Sequence, residues 1–535
     1  MRKVPLQLLL ALIAILATAP LAPADTCSIA EPHPLTPAQI AVLNGNLPQA
    51  ESLYRDALTK SPRDEETISG LVRTLLAEQK VNDAAATITA ALGPDPQSPV
   101  LLTALAEVQH RQGLPWEEEK TLDLAQVRGL CYSRLHLVLA DYFRFNSYYA
   151  TALKNNQTAH QLDPYDPDIR RGWVDTLPLD QRIAELKKYL AANNTDLEAL
   201  RRTRVELAVL ENRQSTSGSC HLVSQTAATE IPFTPLMYNA ELVRAWGLDV
   251  ALNGHNAHLE VDTGAGGLFI SNAVAKKAGL RPIVRNQENG IGDNGPQSGY
   301  LAYADSIKIG GLEFQNCLVE VSDRRDVVDA DGLIGTNIFS DFVVTLDFPW
   351  RKLRLSPLPP YPGAVTAPVT LNTDPPAHSS TQDSEAHDRY VAPEMKDWMK
   401  IYHSGHLLII PGVLNKKSTN LFVIDTGAMI TNISPQAAGA VTKVSSDDTM
   451  TIRGISGFVK KVYRARDIAV RFGNLEQKID GAVVFDTSAL SSNAGTEISG
   501  LLGLDTLRVL VVSIDYRDGL MKFDYSEDRG YQHIR

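Results

Sequence analysis

Two segments of this chain repeat one pattern, and that repetition restricts the fold more than any other feature. Leu259-Glu260-Val261-Asp262-Thr263-Gly264-Ala265 and Phe422-Val423-Ile424-Asp425-Thr426-Gly427-Ala428 each set an Asp-Thr-Gly turn directly after an apolar run. Each follows an Asn-containing turn, at Asn253 and at Asn415, and each leads into an Ile-Ser pair, Ile270-Ser271 and Ile433-Ser434. Further on come Gly332-Leu333-Ile334-Gly335-Thr336-Asn337 and Gly500-Leu501-Leu502-Gly503-Leu504-Asp505, then Val344–Phe348 and Val512–Tyr516. One Asp-Thr-Gly alone reads as a turn, because Asp and Gly are ordinary turn residues. Two copies in one order, with the same followers, indicate a duplicated unit.

The surroundings are strand-like. Short β-branched and apolar runs bounded by Gly, Asn and Asp occur at Leu248–Leu252, Leu259–Val261, Ser306–Ile309, Phe342–Phe348 and Val509–Ile514. The spacing predicts two all-β lobes, over 232–358 and 389–528. A Pro/Ser/Thr/Asp-rich linker at 359–388 separates them, with a strand expected near Val365–Leu371.

Both copies resemble retropepsin-type aspartic proteases, within the broader pepsin-like clan. The resemblance covers nearly all of Ile231 to Ser526. It implies that Asp262 and Asp425 are the catalytic carboxylates, one from each lobe. It implies that Thr263 and Thr426 hydrogen-bond across the lobe junction, and that Leu333-Ile334-Gly335 and Leu501-Leu502-Gly503 pack beneath the two turns. Gly264 and Gly427 let backbone approach the carboxylates where a Cβ would hinder it. Ala265 and Ala428 stand where many fused pepsins have a hydroxyl. Losing that hydrogen bond raises a carboxyl pKa, so activity is expected at less extreme acidity than in pepsins. Hairpins at Gly290-Ile291-Gly292 and Gly454-Ile455-Ser456-Gly457 resemble the flaps that close over substrate in this family. The Gly290–Gly295 run also fits G-x-G-x-x-G, but no helix follows it, so a hairpin tip is expected rather than a nucleotide loop.

The N-terminal part has a different period. Ala57, Ala91, Ala125 and Ala159 lie 34 residues apart, and Pro62, Pro96 and Pro164 keep the frame. A two-helix unit of that length resembles the tetratricopeptide repeat, degenerate in its third copy at Gly129-Leu130-Cys131. Helical repeats and capping helices are expected over 36–213, with a Ser/Thr-rich linker at 214–231. The fold class is thus an all-α solenoid followed by two all-β acid-protease lobes. A concave solenoid face suits a peptide or partner protein.

Residues 1–24 read as a signal peptide: Arg2 and Lys3, an apolar Leu8–Ala19 core, then Ala22-Pro23-Ala24. The expected location is periplasmic or secreted, with no stable membrane insertion after cleavage before Asp25. Cys27, Cys131, Cys220 and Cys317 are too few for a disulfide-built scaffold, and their pairing is left open. A formal net charge of −11 argues against nucleic acid as a partner. No metal or other cofactor is expected. His255/His258 and His403/His406 are spaced by three, which on a strand turns the two rings to opposite faces.

The expected activity is peptide-bond hydrolysis by a water that the Asp262/Asp425 pair activates, on a peptide or protein substrate. The alternatives are lobes that work only by pairing with their twins in a homodimer, and a non-catalytic peptide-binding scaffold.

Overall fold

Helices begin at Leu47, Val81, Pro115 and Tyr149, and their partners at Glu65, Pro99, Ser133 and Pro167, so both series keep the 34-residue period throughout. The N-caps follow the same clock. Asp64, Ser98 and Asp166 each accept a backbone N–H from the first turn, whereas Tyr132, in the degenerate copy, does not. Small residues at Ala50, Ala84 and Ala152 let paired helices approach, and all three are buried. The third copy places Glu118 there instead; it is also buried, with its carboxylate 2.9 Å from Nδ1 of His110. Of the alanines that mark the period, Ala57 is exposed and Ala91 partly buried, whereas Ala125 and Ala159 are fully buried, so the repeat is stricter in spacing than in packing.

This computed structural model describes residues 27–525, apart from 94, 193–194, 217–219, 225–227, 240–242, 325–329 and 363–386. The signal-peptide reading and the expected strand at Val365–Leu371 therefore lie outside the described residues. The 214–231 linker differs from expectation. His221–Leu222 and Thr229–Pro232 are strands, paired with Leu312–Ser322 and Lys352–Pro357. Their polar composition suits an edge, where one backbone face meets solvent. Cys220, beside the first of them, is disulfide-bonded to Cys317, and Cys27 to Cys131.

Each lobe is built on a large sheet, with side chains alternating between a packed core and an open face. In both, the strand carrying the Asp lies parallel to the later Gly-apolar-apolar strand. Gly332–Ile334 runs beside Leu259–Val261, and Gly500–Leu502 beside Phe422–Ile424. The lobes are then fused by a third sheet. Phe342–Asp347 of the first pairs antiparallel with Leu510–Asp515 of the second, with Thr345 opposite Ser513 and their hydroxyls 3.1 Å apart. Equivalent segments thus pair across one local two-fold.

The helical array grips both lobes. Leu197–Thr216 packs Val205 and Val209 against Leu301, Tyr303 and Leu318 of the first lobe. On the second lobe, Phe145 stacks on Tyr402 with ring centroids 4.8 Å apart and joins Leu407, Ile409 and Leu421 in one apolar cluster. Thr496 donates its hydroxyl to the His110 carbonyl at 2.6 Å, and Thr151 donates twice to Asp388. Phe145→Ala should cost about 3 kcal/mol, the usual loss for emptying a buried aromatic site. Hydrogen exchange should then rise in both Ser133–Phe145 and Leu407–Leu414. Faster exchange in the helix alone would show that the junction does not bind.

Candidate active site

The two Asp-Thr-Gly turns meet at the lobe junction. Each is set by its own strand pair: the Asp262 N–H donates to the Ile334 carbonyl and the Asp425 N–H to that of Leu502, both at 3.0 Å. The threonines then lock the turns together. Thr263 donates its hydroxyl to the Ile424 carbonyl at 2.7 Å and accepts from the Thr426 N–H at 3.0 Å. Thr426 donates to the Val261 carbonyl at 2.8 Å and accepts from the Thr263 N–H at 3.1 Å. Both threonines are buried, so these bonds work in a low-dielectric setting and an unpaired member would be costly.

That lattice presses the carboxylates together, and a side-chain hydrogen bond joins Asp262 to Asp425. The glycines are required by contact. A Cβ on Gly427 would lie 2.5 Å from Cγ of Asp262, and one on Gly264 would lie 3.0 Å from Cγ of Asp425. The Gly264 N–H donates to Asp262 at 2.7 Å and the Ala428 N–H to Asp425 at 2.9 Å. Beneath the turns, Gly335 N–H donates to the Gly267 carbonyl at 2.6 Å, and Gly503 N–H to the Thr431 hydroxyl at 3.0 Å. Ala265, Ala428, Leu333 and Leu501 face the cavity above the carboxylates, while Ile334 and Leu502 face the core.

Burial is the largest influence on both carboxyls and pushes both pKa values up. At Asp262 the charges of Asp425 and Glu260 add to it, and the value lies well above the carboxylate range. At Asp425 the Ala428 N–H, the hydrogen bond from Asp262 and the Gly427 N–H pull it partly back. Both carboxyls are thus raised, and the pair titrates as a unit.

The two hairpins expected as flaps lie over this site and touch each other. Ser456 N–H donates to the Ile291 carbonyl at 2.9 Å, Asn294 N–H to the Ser456 carbonyl at 2.9 Å, and Gly290 N–H to the Ser456 hydroxyl at 3.0 Å. Gly290, Ile291, Gly292, Gly454 and Ile455 line the same cavity as the carboxylates, with Gly457 in the contact between the tips. The cavity measures about 1810 Å³, and its far wall is helical: Arg134, Arg171, Arg182, Val205 and Val209 come from the array.

Some residues of the site escape a reading of the sequence. His406 places Nε2 3.0 Å from the Gly264 carbonyl, and burial holds its pKa down. His403 lies instead against the Tyr149 hydroxyl, pushed down to about 3 by burial. Among the described residues no group of three or more His, Cys, Asp and Glu is arranged to hold a metal. Asn337 and Asp505, at matched places after the two later motifs, accept from Gly267 N–H and Thr431 N–H. Their matched positions are a signal that could have found them.

An aspartyl protease family model matches residues 248–338 and 410–506, and a tetratricopeptide repeat model matches 41–108. The chain carries an aspartyl protease domain in two segments behind tetratricopeptide repeats. Among solved structures it is similar to an aspartic proteinase from Irpex lacteus, at 12% identity over 57% of this chain and 99% of that one, TM-score 0.35. It is also similar to a thermophilic TPR protein of Thermus thermophilus, at 23% identity over 31% of this chain and 92% of that one, TM-score 0.25. No curated protein matches it.

A raised carboxyl pKa has a consequence for stability. The folded chain holds the Asp262 proton more tightly than the unfolded chain does. That contribution is complete below the ordinary Asp pKa of about 3.9 and is lost as pH rises through the raised value. Asp262→Asn removes the buried charge. Its melting temperature should exceed the parent's at about pH 8, and the difference should close toward about pH 4. A difference that does not vary with pH would contradict the assignment.

Proposed function

We propose that this protein is an aspartic endopeptidase with one dyad per chain, formed by Asp262 and Asp425. The observation that carries this reading is the hydrogen-bonded contact between two buried carboxylates from the two copies, on the floor of a peptide-sized cavity. Two carboxylates this close share one proton, because a dry site cannot hold both charges. The ionised member takes a proton from a bound water as it attacks the scissile carbonyl. The protonated member donates to the carbonyl oxygen, and a proton then passes to the leaving amine. The two carboxyls titrate as one unit, so the acid and base roles belong to the pair rather than to either residue.

The cross-lobe pairing of Phe342–Asp347 with Leu510–Asp515 supports pairing within one chain over a homodimer, since both Asp turns hang from strands already joined to that sheet. The hairpin tips suit a lid that excludes water and clamps an extended peptide by strand-like hydrogen bonds. The helical wall limits the same cavity, so the substrate is an unfolded chain or a peptide. Export agrees with the N-terminal signal pattern and with both disulfides, which persist in oxidising compartments.

Asp262→Asn and Asp425→Asn should each lower kcat/KM on a mixed peptide library by at least about 10³, while circular dichroism stays unchanged. Cleavage retained by either variant would refute the single-dyad reading. The pH optimum should lie above the extreme acidity of pepsins, and a maximum near about pH 2 would contradict the raised carboxyl pKa values.

A further inference from the structure

The two lobes present different chemistry at equivalent places beside the dyad. In the first, a row crosses the sheet from Glu260 through Leu333 and Phe269 to Glu320 and Leu301. Alternation puts this row on the cavity face, while Leu259, Val261, Ile270 and Val319 fill the core behind it. The corresponding row of the second lobe runs Val423, Leu501, Asn432, Val483. So Glu260 faces Val423 across the pseudo-symmetry, and Glu320 faces Val483. The two carboxylates of the first-lobe row thus have no counterpart in the second-lobe row.

Glu260 is already engaged: Arg244 reaches it at 2.8 Å. Glu288 is not. Its side chain folds over Gly299 at the root of the first flap, where any Cβ on residue 299 would strike the carboxyl. It is 5% exposed, lines the cavity, and neither of its oxygens has a hydrogen-bond partner among the described residues. Burial pushes its pKa up to about 9, with the charges of Glu320 and Asp323 adding to the effect. Glu320 is pushed up to about 7 by burial. A buried carboxyl without a hydrogen-bond partner is costly unless something arrives to satisfy it. A cation entering the cavity supplies the donors and the opposite charge together, and favours the ionised carboxylates.

We propose that Glu288 and Glu320 form a cation-accepting subsite on the first lobe, which seats a lysine or arginine side chain of the peptide substrate while the second lobe takes an apolar one. This inference rests on the aspartic endopeptidase reading for its substrate, but its site stands on the geometry of the cavity wall. The subsite selects peptides that carry a basic residue on one side of the scissile bond and an aliphatic residue on the other.

Binding and cleavage separate the two ideas. Fluorescein-labelled octapeptides of otherwise aliphatic sequence, with a single lysine or norleucine scanned along the chain, are titrated by anisotropy into the Asp262→Asn protein. At one position lysine should bind about tenfold tighter than norleucine, the usual worth of a charge-assisted hydrogen bond. Adding Glu288→Gln and Glu320→Gln should abolish that gain and leave the norleucine affinity in place. Lysine no tighter than norleucine at every position, or a lysine gain that survives both substitutions, would overturn the subsite. The same peptides are offered to the parent protein for cleavage. A lysine gain without any cleavage would count against the endopeptidase reading and keep the subsite; cleavage without a lysine gain would do the reverse.

Discussion

Everything in this protein that bears on chemistry depends on holding two buried carboxylates in contact against their mutual repulsion. The lattice of Thr263 and Thr426 does this with four buried hydrogen bonds, each hydroxyl both donating to the other lobe's strand and accepting from its turn. Each such bond contributes only about 1 kcal/mol net, but breaking one strands a buried polar partner, which costs more. The lattice in turn needs the lobes in register. That register comes from the shared sheet, where Thr345 and Ser513 mark its centre. The contact between the carboxyls is therefore held by a large apolar fold rather than by the turns alone.

The helical array belongs to the same construction. Its period sets its curvature, and its last helix docks on the first lobe through Val205 and Val209. Phe145 and Thr496 tie its middle to the second. A repeat array that touches both lobes and walls the cavity between them couples access to the relative position of the lobes. Its contacts with the second lobe combine an aromatic and apolar cluster around Phe145 with hydrogen bonds such as that from Thr496 to the His110 carbonyl.

Much of this was legible in the chain, and what was not has physical reasons. Asp262 and Asp425 announce themselves because the turn needs Asp, Thr and Gly in fixed order, twice. The 34-residue period survives even where Glu118 replaces an alanine, since helix length and spacing are set by many residues together. By contrast, the strands at His221–Leu222 and Thr229–Pro232 carry the polar composition of a linker, because edge strands bury little. His406 reads as half of a metal-like pair, although its partner is a backbone carbonyl, which leaves no mark in a sequence. Phe145 looks like any helical core residue; that its core is shared with another domain depends on tertiary docking. Glu288 and Glu320 reveal themselves only when sheet register brings them to one wall.

The claim at the centre of this account is that one chain builds one complete site. The direct measurement is specific peptidase activity across a dilution series, read alongside sedimentation velocity on the same samples. The account predicts a constant specific activity down to the lowest concentration, with the active species sedimenting as a single chain. Activity that falls with dilution as a dimer dissociates would mean that the lobes pair between chains, and would contradict it.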